Sequence, residues 1–502
     1  MKNFNKKEKY RSIFFVCLTA IVVVAFFFRF YDLEARPVHH DEGVNGWFIQ
    51  KLLDKGDYEY SPEHYHGPTL FYIGQLSSTI FQKLWPAKGH GPLSLRIVTA
   101  LFGFLLCLTP LLVRRYIGKA GVLASMSILA VSPGSVFYSR YAIHEMLLVF
   151  FVTIAALCLF LYLHEGKIYY LITFALSLAY AAATKETVII SVAAMGFGVL
   201  VTLLFTQKTE EGLWRKKGIW GFLKSRFAIQ YLLMIIILFF IGLFTWFKKR
   251  EVLDFFISYS FYLNLGTENA GHTKSWSYFL RLLGKTEWFL LMGGIGGTVV
   301  AICRRRAFDL FCLAWAFTMI SAHSVVGYKT PWLIINLTTP LAFLFGSFFY
   351  EIGKTIKGKP NQCLVVAIFS LLALFTLQTS FNYNLRIFQE PQNPYFYVHT
   401  VENAHDLEKR IKGILEEKHD LKLAWVDTVV WPYPFLLYGY NQVVWWSRLV
   451  EKKDLDVPLI VANTKQQDEL MPRLSRDYIQ EKYSLRPGED LHLYIEKGLL
   501  ND

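Results

Sequence analysis

Long apolar runs separated by short clusters of charge fill the first three quarters of the chain, and the pattern changes near Asn382. Measured against the roughly twenty residues that an α-helix needs to cross a bilayer, the runs give about eleven spans. The first, from about Ile13 to Phe30, follows Lys2, Lys6, Lys7, Lys9 and Arg11. Basic residues stay on the cytoplasmic side, so the chain is expected to emerge on the outer face just before Arg36. A long outer loop over residues 31–92 follows, carrying interfacial helices; its segment HYHGPTLFYIGQLSSTIFQKLW is apolar enough to span. Treating that segment as lying on the membrane places the later basic clusters on one side: Arg114, Arg115 and Lys119; His164 to Lys167; Lys208 to Arg226; Arg304 to Arg306; and Lys354, Lys357 and Lys359. Lys248, Lys249 and Arg250 fall on the opposite side and depart from the rule.

Beyond Asn382 short apolar segments alternate with amphipathic ones. PYFYVHT, LKLAWVD, VVWWS, PLIVAN and DLHLYIE read as strands, and NAHDLEKRIKGILEEKH reads as a helix. The expected organisation is thus a mainly α polytopic membrane domain over residues 1–381 and a small extracytoplasmic α/β domain over 382–502.

Composition agrees with that division. The 502 residues are 54% hydrophobic, 17% aromatic and only 18% charged, more apolar than a soluble chain of this length can bury. The net charge of +13 lies in the clusters between apolar runs, a membrane-orientation pattern, so nucleic acid is not expected as a partner. The first run lacks a small-residue cleavage site and reads as a retained helix. All six cysteines lie in or beside apolar runs and read as core filler, with no disulfide framework and no CxxC pair.

Candidate chemistry begins at the point of emergence. His39-His40-Asp41-Glu42 places four titratable side chains in a row at a membrane boundary, a costly arrangement unless they are used. The structural alternative is an N-cap: Asp41 could start a helix whose Val44, Trp47, Phe48 and Leu52 form an apolar stripe. The parity of the spans brings three further groups to the same outer face: Arg140, His144 and Glu145; Lys185 and Glu186; and His323 with Lys329. Arg140 and His144 are four apart and would share a helical face. Snorkelling explains a single lysine at a span end, but not acids, histidines and bases gathered together. Carboxylates flanked by Arg and Lys suit a phosphate leaving group and a nucleophile that must lose a proton. Gly293-Gly294-Ile295-Gly296-Gly297 lies within a span and reads as close helix packing. Trp445-Trp446 reads either as strand core or as a sugar-stacking platform.

HHDEGVNGWFI, YHGPTLFY, LSLRIVTALFG, SPGSVFYSRYAIHE, TKE, YKTPWLIIN and PYFYVHT together resemble the flippase-activity-associated family of archaeal-type protein-glycosylation clusters, across nearly the whole chain. That family lies within the GT-C superfamily, with the protein O-mannosyltransferases, the aminoarabinose transferase of lipid A and the oligosaccharyltransferases. The resemblance implies a GT-C-like fold and an inverting transferase at the extracytoplasmic face of the plasma membrane. Its donor would be a polyprenyl-phosphate-linked sugar and its acceptor a glycan, glycolipid or protein. The superfamily's first-loop acid falls on Asp41, with Glu42 beside it as a second catalytic candidate and His40 among the substrate-binding ones. Its second-loop acid falls on Glu145, beside His144. The cations for the lipid phosphate fall on Arg140, Lys185 and Lys329. Some superfamily members bind a divalent metal and others work without one. Asp41, His144 and Glu145 are ligand types that suit Mn²⁺ or Mg²⁺, although His144-Glu145 is not the DxD or DxE pair. The alternatives to an enzyme are a non-catalytic protein that assists flipping or presentation of lipid-linked glycans, and an accessory subunit whose outer domain docks a partner.

Overall fold

The computed structural model describes residues 2–56, 58–61, 66–86, 89–206, 226–265, 272–427, 429–446 and 457–499. The inner loop expected over Lys208 to Arg226 lies, up to residue 225, outside the described residues. The chain divides into two compact units. One comprises Met1–Tyr31, Tyr58–Gly74 and Arg96–Arg386; the other comprises Asp32–Asp57, Gln75–Leu95 and Ile387–Asp502. Two pieces of the stretch expected as the first outer loop, residues 32–57 and 75–95, thus belong with the C-terminal residues.

The first unit is a helical bundle. Its helices are α1 (Lys2–Phe30), the start of α3 (Thr69–Leu84), most of α4 (Pro92–Leu108), α5 (Arg114–Val131), α6 (Pro133–Ser139), α7 (His144–Glu165), α8 (Ile168–Ala182) and α9 (Val188–Phe205). They continue with α10 (Arg226–Phe244), α11 (Lys249–Leu265), α12 (Tyr278–Thr286), α13 (Trp288–Arg304), α14 (Ala307–Val325), α15 (Ile334–Thr355) and α16 (Lys359–Phe381). Among the described residues seven helices are long and apolar enough to cross a membrane, or up to nine if each of two sharply bent pairs counts as one span. The chain is therefore a polytopic membrane protein, and the eleven apolar runs of the sequence do not translate into eleven long straight helices. Ile168–Ala182 is shorter, and Pro92–Val131 forms one 40-residue run. That run turns at Gly118, where φ is +60° and a β-carbon would stand 2.6 Å from the Tyr350 ring. Residues other than glycine rarely adopt such a φ.

The glycine run of α13 packs as its composition suggests. A β-carbon on Gly293 would lie 2.0 Å from the Phe345 ring, and one on Gly297 would lie 2.1 Å from the Leu344 carbonyl oxygen. Only glycine lets α13 and α15 approach this closely. The cysteines fit their expected role in part. Cys107, Cys158 and Cys312 are buried, whereas Cys17, Cys303 and Cys363 lie on the exposed sides of their helices, and all six are free thiols.

The second unit holds α2 (His40–Lys55), α17 (Asn403–Glu417) and a five-stranded sheet. The strands are β1 (Leu423–Val426), β2 (Val443–Trp446), β3 (Leu459–Asn463), β4 (Tyr478–Arg486) and β5 (Glu489–Glu496), in the order β2-β1-β3-β5-β4. β1 pairs in parallel with β2 and β3, and β5 runs antiparallel to β3 and β4. Four of the five segments read as strands form β1, β2, β3 and β5. Their alternating side chains feed a core of Leu407, Ile411, Leu423, Trp425, Leu459, Val461, Leu491 and Leu493.

PYFYVHT is not a strand. The Asn393 side chain accepts from Tyr395 N at 3.0 Å and the His399 ring accepts from Tyr397 N at 2.7 Å, while Val398 takes a positive φ of 54°. These local bonds satisfy the backbone amides that a ladder would otherwise use. The strand β4 was missed because YIQEKYSLR is mostly polar and forms the sheet edge, where both faces remain partly wet. Trp445 lies on the edge strand β2 and packs at 5.2 Å against Trp425, partly exposed.

Candidate functional site

The first candidate group starts α2. The helix is capped by His39 and not by Asp41, which corrects the capping alternative read from the sequence. The His39 ring Nδ1 accepts from Asp41 N at 3.1 Å, and Glu42 Oε2 accepts from His39 N at 3.0 Å. This is a capping box with histidine in the place usually taken by Ser or Thr. The other ring nitrogen of His39 bonds to the Tyr397 carbonyl at 2.9 Å, which ties the start of α2 to the 393–399 turn. His39 and Glu42, both buried, are thus used in holding the helix start. The Asp41 carboxylate stands in the first helical turn with no hydrogen bond among the described residues. An acid there is favoured by the positive end of the helix.

His40, also in this turn, has a buried Nδ1 without a hydrogen-bond partner among the described residues. Burial lowers its pKa to about 4; Asp41 pulls the other way, and His39 and Arg486 add to the lowering. His40 is therefore neutral near pH 7. Close packing fixes the orientation of α2: a β-carbon on Gly43 would lie 2.6 Å from Pro432 Cβ, and one on Gly46 would lie 2.7 Å from the Phe435 ring.

The second group lies within the bundle, where five loop and helix ends converge. Lys185 donates to Glu145 Oε2 at 2.6 Å, and their side chains are 9% and 2% exposed. Asn336 from α15 reaches Glu145 Oε1 at 3.5 Å. His144 Nε2 bonds to the Gly67 carbonyl at 3.2 Å, and its ring packs edge-on against His66 at 5.2 Å and Phe71 at 5.0 Å. His323 stands in the fields of Glu145, Lys185 and Lys329. The structure therefore brings Glu145, His144, Lys185 and His323 together, as the parity of the spans implies.

Arg140 and Lys329 are held differently. The helix α6 ends at Ser139 and α7 starts at His144, so Arg140 and His144 do not share a helical face as the four-residue spacing suggested. Arg140 is 1% exposed, and its Nη1 donates to the carbonyls of Phe28 at 3.0 Å and Tyr31 at 2.7 Å, at the end of α1. Arginine near a helix C-terminus satisfies carbonyls that lack an intrahelical partner. The Lys329 ammonium donates to Ser324 O at 3.1 Å and to Val326 O, at the end of α14. Burial lowers its pKa.

Sequence reading missed the role of Glu186. Its carboxylate is fully enclosed, accepts from Tyr60 OH at 2.8 Å, and meets His66 Nδ1 at 3.0 Å. Burial alone would raise its pKa, but the bonds from His66 and Tyr60 outweigh burial and lower it. TKE thus sends Lys185 and Glu186 to two different motifs. Gly67 makes this fit possible, since a β-carbon there would stand 2.1 Å from the Ala183 carbonyl oxygen. Only the adjacency of the two charges in TKE hinted at a double role.

The donor set expected for a divalent ion does not fit one as it stands. Glu145 is neutralised by Lys185, His144 spends Nε2 on a backbone carbonyl, and no group of three His, Cys, Asp or Glu among the described residues could hold a metal ion.

A bundle of membrane helices carrying this buried ionic cluster, joined in sequence to a small sheet unit, is a GT-C-like fold. The structures of ArnT from Cupriavidus metallidurans share it. The one bound to undecaprenyl phosphate superposes with a TM-score of 0.68, and the one in the apo state with 0.67. Each comparison covers 95% of this chain and 97% of ArnT at 16% sequence identity, so the likeness is one of fold. Residues 65–246, less than half of the chain, match the family model described as dolichyl-phosphate-mannose-protein mannosyltransferase. That segment includes His66, Arg140, Glu145, Lys185 and Glu186, and it excludes Asp41 and Lys329. No curated protein matches the sequence.

Proposed function

We propose that the chain is an inverting glycosyltransferase that moves a sugar from a polyprenyl-phosphate carrier to an acceptor hydroxyl at the extracytoplasmic face of the plasma membrane. The observation that carries this reading is the Asp41 carboxylate. Its neighbours His39 and Glu42 cap α2, and Asp41 itself stands in the first turn without a hydrogen bond among the described residues. A carboxylate fixed by its helix but not consumed by it suits a general base. The ArnT fold supports the donor class, because an ArnT structure has undecaprenyl phosphate bound.

In this reading the reaction is a single displacement. Asp41 takes the proton of the acceptor hydroxyl as that oxygen attacks the anomeric carbon, and the bond to the lipid phosphate breaks with inversion. The phosphate leaves as an anion and needs no general acid. Its developing charge is stabilised by cations fixed in a water-poor setting, where each counts for far more than in water. Lys185, tied to a single carboxylate and an ammonium on a flexible stem, is the cation best able to turn to the phosphate. Arg140 and Lys329, anchored on backbone carbonyls, add fixed positive charge. No step uses a metal.

Asp41→Asn preserves size and hydrogen bonding but removes the base. Transfer should fall by at least about a hundredfold while binding of undecaprenyl phosphate and membrane level stay normal. Retention of most transfer would make Asp41 a surface acid and favour the flipping or presentation reading.

A further inference from the structure

A cavity of about 380 Å³ opens within the second unit, lined by Phe396, Val398, His399, Val429, Arg486 and Glu489 among others. Its size falls in the range of small-ligand sites, about 300–1,000 Å³. Arg486 ends β4, and Glu489 begins β5 across a turn at Gly488, where φ is +83°. The guanidinium donates from Nη2 to Trp431 O at 3.4 Å, while its buried Nε has no partner among the described residues. Three carboxylates act on this one arginine: Glu489, Asp41 and Asp427. His40 also feels the Arg486 charge. The cavity wall is thus electrically coupled to the residue assigned above as the base.

The lining selects for a chemical class. Phe396, stacked on His399 at 5.0 Å, gives a flat apolar wall, with Val398 and Val429 adding aliphatic surface. The polar groups are mixed: the Arg486 guanidinium as donor, and the Glu489 carboxylate as acceptor, which also takes bonds from Asn463 at 2.9 Å and Lys465 at 3.0 Å. Phosphate carries acceptors only, and it would meet the Glu489 carboxylate on the lining, with the negative fields of Asp41 and Asp427 behind the guanidinium. A sugar hydroxyl both donates and accepts, so a ring bearing several can bond to Arg486 and to Glu489 together while its C–H face lies on Phe396. We infer that this cavity binds a neutral hexose ring of the acceptor, which makes the acceptor a glycan and not a peptide hydroxyl or a phosphorylated headgroup. The inference rests on the transferase reading for the word acceptor; hexose binding itself does not.

The test uses the full-length protein in lipid nanodiscs and saturation-transfer difference NMR. The probes are neutral methyl hexosides, a hexose 6-phosphate and a short threonine peptide with blocked ends. Saturation should reach the ring C–H protons of at least one methyl hexoside and exceed that of the other two probes. Arg486→Gln should weaken binding about fivefold, the effect of one lost hydrogen bond. Val429→Trp, on a different segment, should abolish it by filling the cavity. Undecaprenyl phosphate binding, measured on the same samples, should be unchanged and so exclude misfolding. The inference is overturned if no neutral hexoside is saturated, if both variants leave the signal intact, or if the phosphorylated sugar or the peptide is preferred. Failure here with a full Asp41→Asn transfer defect would leave the transferase reading standing. Hexoside binding with transfer unaffected by Asp41→Asn would overturn that reading and leave the cavity as a sugar site.

Discussion

The buried Glu145–Lys185 pair separates a structural ion pair from a phosphate-binding one. At 2.6 Å, with side chains 2% and 9% exposed, the two charges neutralise each other in a setting where neither is stable alone. Among the described residues, Lys185→Met would leave the Glu145 carboxylate with only Asn336 at 3.5 Å, and Glu145→Gln would strand the ammonium. Breaking one side of such a pair costs about 3–5 kcal/mol, whereas replacing both sides by neutral groups of similar volume is neutral or even favourable. The double variant Glu145→Gln with Lys185→Met should therefore melt within a few degrees of the parent, and each single variant well below it. Turnover should behave differently. Losing a charge that stabilises the leaving phosphate costs about 10²- to 10³-fold, and restored folding does not return that charge. The assay is thermal melting by tryptophan fluorescence together with release of polyprenyl phosphate from a lipid-phosphate sugar, in nanodiscs, for all four proteins. Turnover that recovers together with stability in the double variant would refute the phosphate role of Lys185.

Three further outcomes are expected. Arg140→Ala should destabilise by about 1.5–3 kcal/mol through its lost charged hydrogen bonds, and adding Glu145→Ala should give no rescue, because Glu145 pairs with Lys185; thermal melts of the single and double variants check this. Gly67→Ala should cost about 1–3 kcal/mol or more, seen as a lower melting temperature and poor yield, because its β-carbon meets the Ala183 carbonyl at 2.1 Å. His40 and His90 both have pKa values lowered to about 4 by burial, below the unfolded value of about 6.5, so the unfolded chain takes up protons first. Their contribution is full above about pH 6.5 and is lost as pH falls toward 4. Melting temperature should drop through that window, and His90→Asn should flatten the drop.

Much of the scaffold was legible because apolar length and alternation are strong local signals. The membrane runs, α17 and four strands follow from them. What escaped depends on partners distant in sequence or on unusual local chemistry. A histidine N-cap is invisible to rules built on Ser, Thr, Asp and Asn, so Asp41 looked like the cap that His39 in fact provides. PYFYVHT has strand composition, but Asn393 and His399 take its amides. The spacing of Arg140 and His144 suggested one helical face, yet α6 stops at Ser139 and α7 starts only at His144. Within the site, TKE shows two charges but not that one reaches Glu145 and the other His66; only the packing of α3, α7 and α8 decides that. Lys248, Lys249 and Arg250, which depart from the charge rule, stand at the start of a helix, α11, which follows α10 after a 107° bend.

On the proposed function this chain consumes a lipid-linked sugar on the extracytoplasmic leaflet and does not carry the lipid across the membrane. The most direct measurement is made in cells whose only copy carries Asp41→Asn. Lipid-linked sugars are extracted after treatment of intact cells with a membrane-impermeant oxidant of vicinal diols. An unused polyprenyl-phosphate sugar should then accumulate and be oxidised, because it lies on the outer leaflet awaiting transfer. Accumulation of the same lipid in a protected form, on the inner leaflet, or no accumulation at all, would contradict it.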